Sequence, residues 1–145
     1  MIRKITPMLA VICLFLTSCT TDIEINDPAL QAKIDCELFR STIKKAVIFE
    51  DGTLVISGST DNQSISFSVV SINKGTYKTA QQAINKASFQ DNNSTEFVSK
   101  DGETDGTVEI TEISNNEISG NFNFKNLKDE QGNSLSFSDG WFYRL

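Results

Sequence analysis

Apolar and polar residues alternate along most of the chain, most clearly where Ile65, Phe67 and Val69 are separated by Ser64, Ser66 and Ser68. Successive side chains of a strand point to opposite faces, so this spacing buries one face and leaves the serines on the other. The same period of two recurs at Leu54 and Ile56, and at Val108 and Ile110. It returns at Ile118, Gly120, Phe122 and Phe124, where Ser119, Asn121 and Asn123 fall between. Gly120 thereby takes a place on the buried face, where a glycine permits a bulge or the close packing of a neighbouring aromatic.

Turn chemistry divides these runs. Ala46 to Phe49 end at Glu50, Asp51 and Gly52, and Asp-Gly between apolar runs is a strong hairpin signal. Further turns fall at Gly58 to Gln63, Asn73 to Gly75, Ser114 to Asn116 and Lys128 to Asn133. Phe89 and Phe97 flank the polar stretch Gln90 to Thr95 and read as facing anchors of a second hairpin. Leu135 and Phe137 lead to Asp139 and Gly140, which read as a turn before a last strand, Trp141 to Leu145. Thr79 to Lys86 is the one helical turn expected in the domain. Near the start two readings compete. Asp27 and Pro28 suit the N-cap and first position of a helix running through Ala32. Alternatively, a strand around Ala32 to Ile34 pairs with one beginning at Leu38, across Asp35, Cys36 and Glu37. The count of eight or nine short strands predicts an all-β domain, a single antiparallel sandwich or small barrel, with most of the ten phenylalanines facing inward.

Ahead of the domain the pattern changes. Arg3 and Lys4 precede an apolar run from Ile5 to Leu16, far shorter than the ~20 residues of a spanning helix, so residues 1–18 read as a secretory signal peptide. The run closes on Leu16, Thr17, Ser18 and Cys19, which resembles a lipobox, the site at which bacterial lipoproteins are cut before a cysteine that then carries acyl chains. Thr17 and Ser18 would also fit an ordinary signal-peptidase site. Lipidation needs the Cys19 sulfur as nucleophile, and each buried methylene of the acyl chains adds ~0.8 kcal/mol of membrane affinity. Residues 19–29 hold acidic and turn-forming residues with little to bury, and read as a tether to a domain over residues 30–145.

Loss of the leader lowers the basic residues from 13 to 11 against 19 acidic ones, a formal charge of −8. Such a surface excludes nucleic acid as a natural partner. The chain has no histidine, which removes the common zinc sites and histidine-based triads. Of three cysteines, Cys13 leaves with the leader and Cys19 takes lipid, so Cys36 is the single thiol of the domain and no disulfide framework exists.

Asp101, Glu103, Asp105, Gly106 and Glu112 occupy positions 1, 3, 5, 6 and 12 of a calcium-loop pattern. A strand from Gly106 to Glu112, rising ~3.3 Å per residue, would carry Glu112 roughly 20 Å beyond the loop, leaving Asp101, Glu103 and Asp105 as weak metal candidates on a solvated acidic turn. Asp139, Asp101 and Glu109 are carboxylates a hydrolase could use, yet none stands in an active-site motif. Trp141, Phe142 and Tyr143 alternate faces, so at least one can be exposed as a sugar platform, with packing the fate expected of Trp141 and Tyr143.

The chain carries, in order, Ile34-Asp35-x-Glu37-Leu38-Phe39, Gly52-x-Leu54-x-Ile56-x-Gly58, Gly75-Thr76-Tyr77, Gly106-Thr107-Val108-x-Ile110-Thr111, Ile118-Ser119-Gly120-x-Phe122-x-Phe124 and Asp139-Gly140-x-Phe142. In this order and spacing the stretches resemble a family of small Bacteroidota-type lipoproteins with an all-β domain of unknown function. The resemblance favours the strand pair around Cys36 over the helix and implies a lipid anchor, but no catalytic residues. Cys36 stands where the family's turn glycine is expected, which implies a looser first hairpin. Asp22 and Glu24 similarly resemble the acidic surface-export signals of such lipoproteins. The function expected is a non-enzymatic, membrane-anchored interaction module of the outer membrane, on its periplasmic face or at the cell surface. It would need no cofactor, and its partners would be the membrane, through the lipid, and an envelope protein or a glycan. The alternative is a lipocalin-like barrel around a small apolar ligand, which requires unfilled space inside.

Overall fold

The computed structural model describes residues 29–145; the segments read as signal peptide and lipobox, with Cys19, and the expected tether up to Pro28 lie outside the described residues. Eleven strands form one antiparallel sheet: β1 (Leu30–Ile34), β2 (Glu37–Arg40), β3 (Ile43–Ile48), β4 (Leu54–Ser59), β5 (Ser64–Val69), β6 (Gly75–Lys78), β7 (Ile84–Gln90), β8 (Glu96–Val98), β9 (Asp105–Ser114), β10 (Glu117–Lys128) and β11 (Ser134–Phe142). The order is β2-β1-β11-β10-β8-β7-β5-β4-β3, with β9 also paired to β10 and β6 to β9. The sheet curls into a half-barrel. Between β2 and β3, the two ends of that order, the chain changes partners: Ser41 N–H donates to Leu30 O of β1 at 3.1 Å, and Thr42 N–H donates to Ser59 O of β4 at 2.8 Å.

Local chemistry explains the hairpins. Asp35 and Cys36 both adopt left-handed backbone, at φ 45° and 73°, and close a two-residue loop in which Ile34 faces Glu37. The first hairpin is therefore tight, with a cysteine where glycine is cheapest. Asn115 and Asn116 make the equivalent loop between Ser114 and Glu117, at φ 53° and 62°. Phe89 faces Phe97 across β7 and β8, as the sequence predicts. β1 begins at Leu30, which overturns the helical reading through Ala32. The helical turn expected over Thr79 to Lys86 reduces to a 3₁₀ turn at Thr79–Gln81, because Ile84 to Lys86 belong to β7. Buried Ile84 and Ala87 are spaced like a helix only because the pairing of β7 with β5 shifts between Ser68 and Val69.

Seven of the ten phenylalanines are buried, and their rings touch in one continuous series. Phe39 meets Phe89, Phe89 meets Phe137, Phe137 meets Phe124, and Phe124 meets Phe67 and Phe122, with Phe142 against Phe67. Centroid separations of 4.6 to 6.3 Å are those of packed aromatic pairs. Three of these rings sit directly opposite a glycine on the next strand: Phe142 on Gly120, Phe122 on Gly140 and Phe124 on Gly106. A Cβ at Gly120 would lie 2.6 Å from the Phe142 ring and collide with the Glu109 carbonyl oxygen. At Gly140 it would lie 2.6 Å from both the Phe122 ring and its carbonyl oxygen. Each ring thus fills the space the glycine leaves, which is how an aromatic restores packing to a glycine-bearing strand.

Candidate functional site

Parity along β11 fixes the most distinctive surface of the domain. Phe124 faces Phe137 while Phe122 faces Gly140, so β11 carries one residue more than β10 between these pairs. Asp139 takes up the extra residue in left-handed backbone, at φ 49°. This is a β-bulge, and it resets which face the following side chains use. Leu135 and Phe137 point inward, and after the bulge so do Gly140 and Phe142. Trp141 and Tyr143 are therefore turned out and half-buried. The sequence expectation had packed Trp141 and Tyr143; the buried member of the trio is Phe142, at 0 % exposure. Asp139-Gly140 is likewise not a turn, and the two runs around it form a single strand.

Around Trp141 the outer face is polar. Trp141, Asn121 and Glu109 are neighbours across β11, β10 and β9. Asn121 Nδ2 donates to Glu109 Oε2 at 3.1 Å. Lys33 Nζ, on a side chain only 7 % exposed, lies 3.1 Å from the exposed Asp139 carboxylate. Arg144 covers one face of Tyr143, with its guanidinium carbon 5.1 Å from the ring centre. Arg144 N–H donates to Oγ of buried Ser119 at 3.0 Å, and its side chain approaches Glu117 at 3.9 Å. Of these groups Trp141, Tyr143, Asn121, Asp139 and Ser119 border an open cleft of about 410 Å³, which Thr111 and Glu112 also line.

The acidic loop is a separate feature. Asp101, Glu103 and Asp105 are exposed and border a wider cleft of about 570 Å³. Buried Thr104 holds the loop: its hydroxyl accepts from Lys100 N–H at 2.9 Å and donates to Asn126 O at 3.2 Å. Thr79 Oγ1 donates to Thr104 O, also at 2.9 Å. Gly106 is buried within β9 and Glu112 lies farther along that strand, so the calcium-loop pattern is not closed. Among the described residues no three potential ligands are grouped to hold a metal ion.

The carboxylates proposed for hydrolysis are not brought together as a pair: Asp139 is engaged with Lys33, Glu109 with Asn121, and Asp101 stays on its loop. Two carboxyls with displaced pKa stand in hairpin turns instead. Asp51 is held below its ordinary value of 3.8 by the backbone N–H of Thr53, and Asp129 below the same value chiefly by the side-chain amide of Asn133. Cys36 is exposed at its hairpin tip. Sequence reasoning missed the Asn121–Glu109 contact, which depends on the register of β9 against β10; the Asp139-Gly140 pair was visible and had a second meaning as a bulge.

The molecule is thus a single all-β half-barrel with an aromatic interior and an outward aromatic-polar cleft. Its sequence matches the model of the family described as a domain of unknown function (DUF6252) over residues 26–145, and the chain belongs to that family. Comparison with curated proteins and with solved structures returns no significant match.

Proposed function

We propose that the protein is a lipid-anchored component of the bacterial outer membrane, acylated at Cys19, that holds its half-barrel on a short tether as a non-catalytic interaction module. The Leu16-Thr17-Ser18-Cys19 stretch and the resemblance to Bacteroidota-type lipoproteins support the anchor. The observation that carries the module reading is the division of aromatic residues: seven phenylalanine rings occupy the interior, while a bulge turns Trp141 and Tyr143 to the outside. An interior so occupied weighs against the lipocalin-like alternative, because a carrier of apolar ligands needs an internal cavity of ~300 Å³ or more. Metabolic labelling with a palmitate analogue tests the anchor. The wild-type chain incorporates label and stays with the membrane fraction, and Cys19→Ser abolishes labelling. A Cys19→Ser protein that still labels removes the anchor from the proposal.

A further inference from the structure

We propose that the Trp141 cleft is a binding site for an uncharged saccharide, with the rings of Trp141 and Tyr143 as its floor and Asn121, Thr111 and Ser119 as its polar contacts. This deepens the interaction-module reading and rests on it. Side chains two apart in extended chain stand on the same face about 6.6 Å apart. Tyr143 continues the line of β11 one residue past its end, its N–H donating to Ala29 O at 2.7 Å, so Trp141 and the face of Tyr143 not covered by Arg144 offer two adjacent aromatic surfaces. That spacing suits successive rings of a pyranose chain, whose C–H faces are apolar and whose edges carry hydroxyls.

The polar groups match those edges. Glu109 Oε2, outside the cleft, accepts from Asn121 Nδ2, which fixes the amide and leaves its carbonyl oxygen as an acceptor for sugar hydroxyls. Thr111 and Ser119 border the same cleft. With Asp139 paired to Lys33, the lining offers the charge of Glu112 and no basic side chain, so it has nothing built to bind the anionic groups of uronates, sulfated sugars or anionic lipids. Most of the exposed large apolar side chains, Ile43, Ile48, Phe49 and Val70, lie on or directly after β3 and β5; near the cleft only Ile113 of β9 is of this kind, and one such residue makes no contiguous apolar patch. A few polar groups converging beside an aromatic floor is the composition of a small-molecule site rather than of a flat protein interface.

Trp141 is the single tryptophan of the chain, so its emission reports on this site alone. The test uses the lipidated protein in a polyoxyethylene detergent, which carries no sugar, with neutral hexasaccharides of glucose, mannose, galactose and xylose and an oligouronate. Neutral oligosaccharide is expected to shift the emission to the blue in a saturable way. Tyr143→Ala is expected to weaken binding about tenfold and Asn121→Ala about fivefold, while Tyr143→Phe, which keeps the ring, stays within about twofold. Circular dichroism checks that each variant folds. Flat emission and absent calorimetric heat for every neutral sugar at about 10 mM overturn the proposal, as does binding of the oligouronate alone. Loss of an envelope protein from pull-downs on Tyr143→Ala, with no sugar bound by the wild type, assigns the cleft to a protein and likewise overturns it. Palmitate labelling is independent of these outcomes, so failure here leaves the anchor intact.

Discussion

Gly120→Ala tests the closest approach of backbone to a glycine in the sheet. The new methyl would meet the ring of Phe142 at 2.6 Å and the carbonyl oxygen of Glu109 closer still. A side chain can turn aside, but the Glu109 carbonyl belongs to the β9 backbone and moves only with its strand. Where no clash exists, Gly→Ala stabilises a chain by ~0.4–1 kcal/mol through the unfolded state. Overpacking costs ~1–3 kcal/mol when side chains can adjust, and a backbone collision places this substitution at or above the upper end, so a net loss of about 3 kcal/mol is expected.

Gly106→Ala provides the comparison. Its methyl would meet the Phe124 ring and, at 3.0 Å, Thr79 Cγ2, with no backbone atom among its nearest contacts. The loss there should be about 1–2 kcal/mol, and Phe124→Leu in the same chain should recover part of it. Phe142→Leu should not rescue Gly120→Ala, because the carbonyl remains. Urea denaturation with a shared m-value measures all five proteins; at m of about 2 kcal/mol/M the Gly120→Ala midpoint falls by roughly 1.5 M. A Gly120→Ala midpoint equal to that of wild type, or no lower than that of Gly106→Ala, refutes the steric reasoning.

Three further outcomes follow from the same geometry. Cys36→Gly should stabilise the domain by about 0.5–1 kcal/mol, since glycine accepts φ 73° without strain, whereas Cys36→Val should lower the urea midpoint. Asp129 favours its ionised form in the folded state, so its contribution is present above the ordinary carboxylate value of 3.8 and is lost as pH falls through the lower folded value. The gap in melting temperature between wild type and Asp129→Ala should therefore be widest above about pH 5 and narrow towards pH 2.5; a gap independent of pH contradicts this. Deleting Gly140 to Leu145 removes the segment of β11 that pairs with both β1 and β10, together with buried Phe142, and should abolish cooperative unfolding; an unshifted cooperative melt would contradict it.

Features set by neighbouring residues were readable in the sequence. Asp51-Gly52 and Asn115-Asn116 carry their turn chemistry with them, and Phe89 and Phe97 declare their pairing through the polar stretch between them. Features set by distant pairing were not. β6 is four residues long and shows little alternation, so only its partner β9, some thirty residues on, reveals it as a strand. The Asp139-Gly140 dipeptide has the same composition in a turn as in a bulge, and it is the pairing of β11 on both sides that decides. That one decision reverses the parity of Trp141 and Tyr143. The candidate cleft was accordingly visible in its aromatic residues and hidden in their direction.

The placement of β1 between β2 and β11 bears on how the molecule is made. Leu30 pairs with Phe142, so the first strand of the domain finds one of its two partners only after nearly the last residue has been delivered. Closing so long a loop is slow, and a sheet built on such distant pairings cannot complete itself on a partial chain. The last strand to be made thus acts as the clasp: until it arrives, β1 holds only its hairpin with β2, and the fold closes in one step when the carboxyl end joins it.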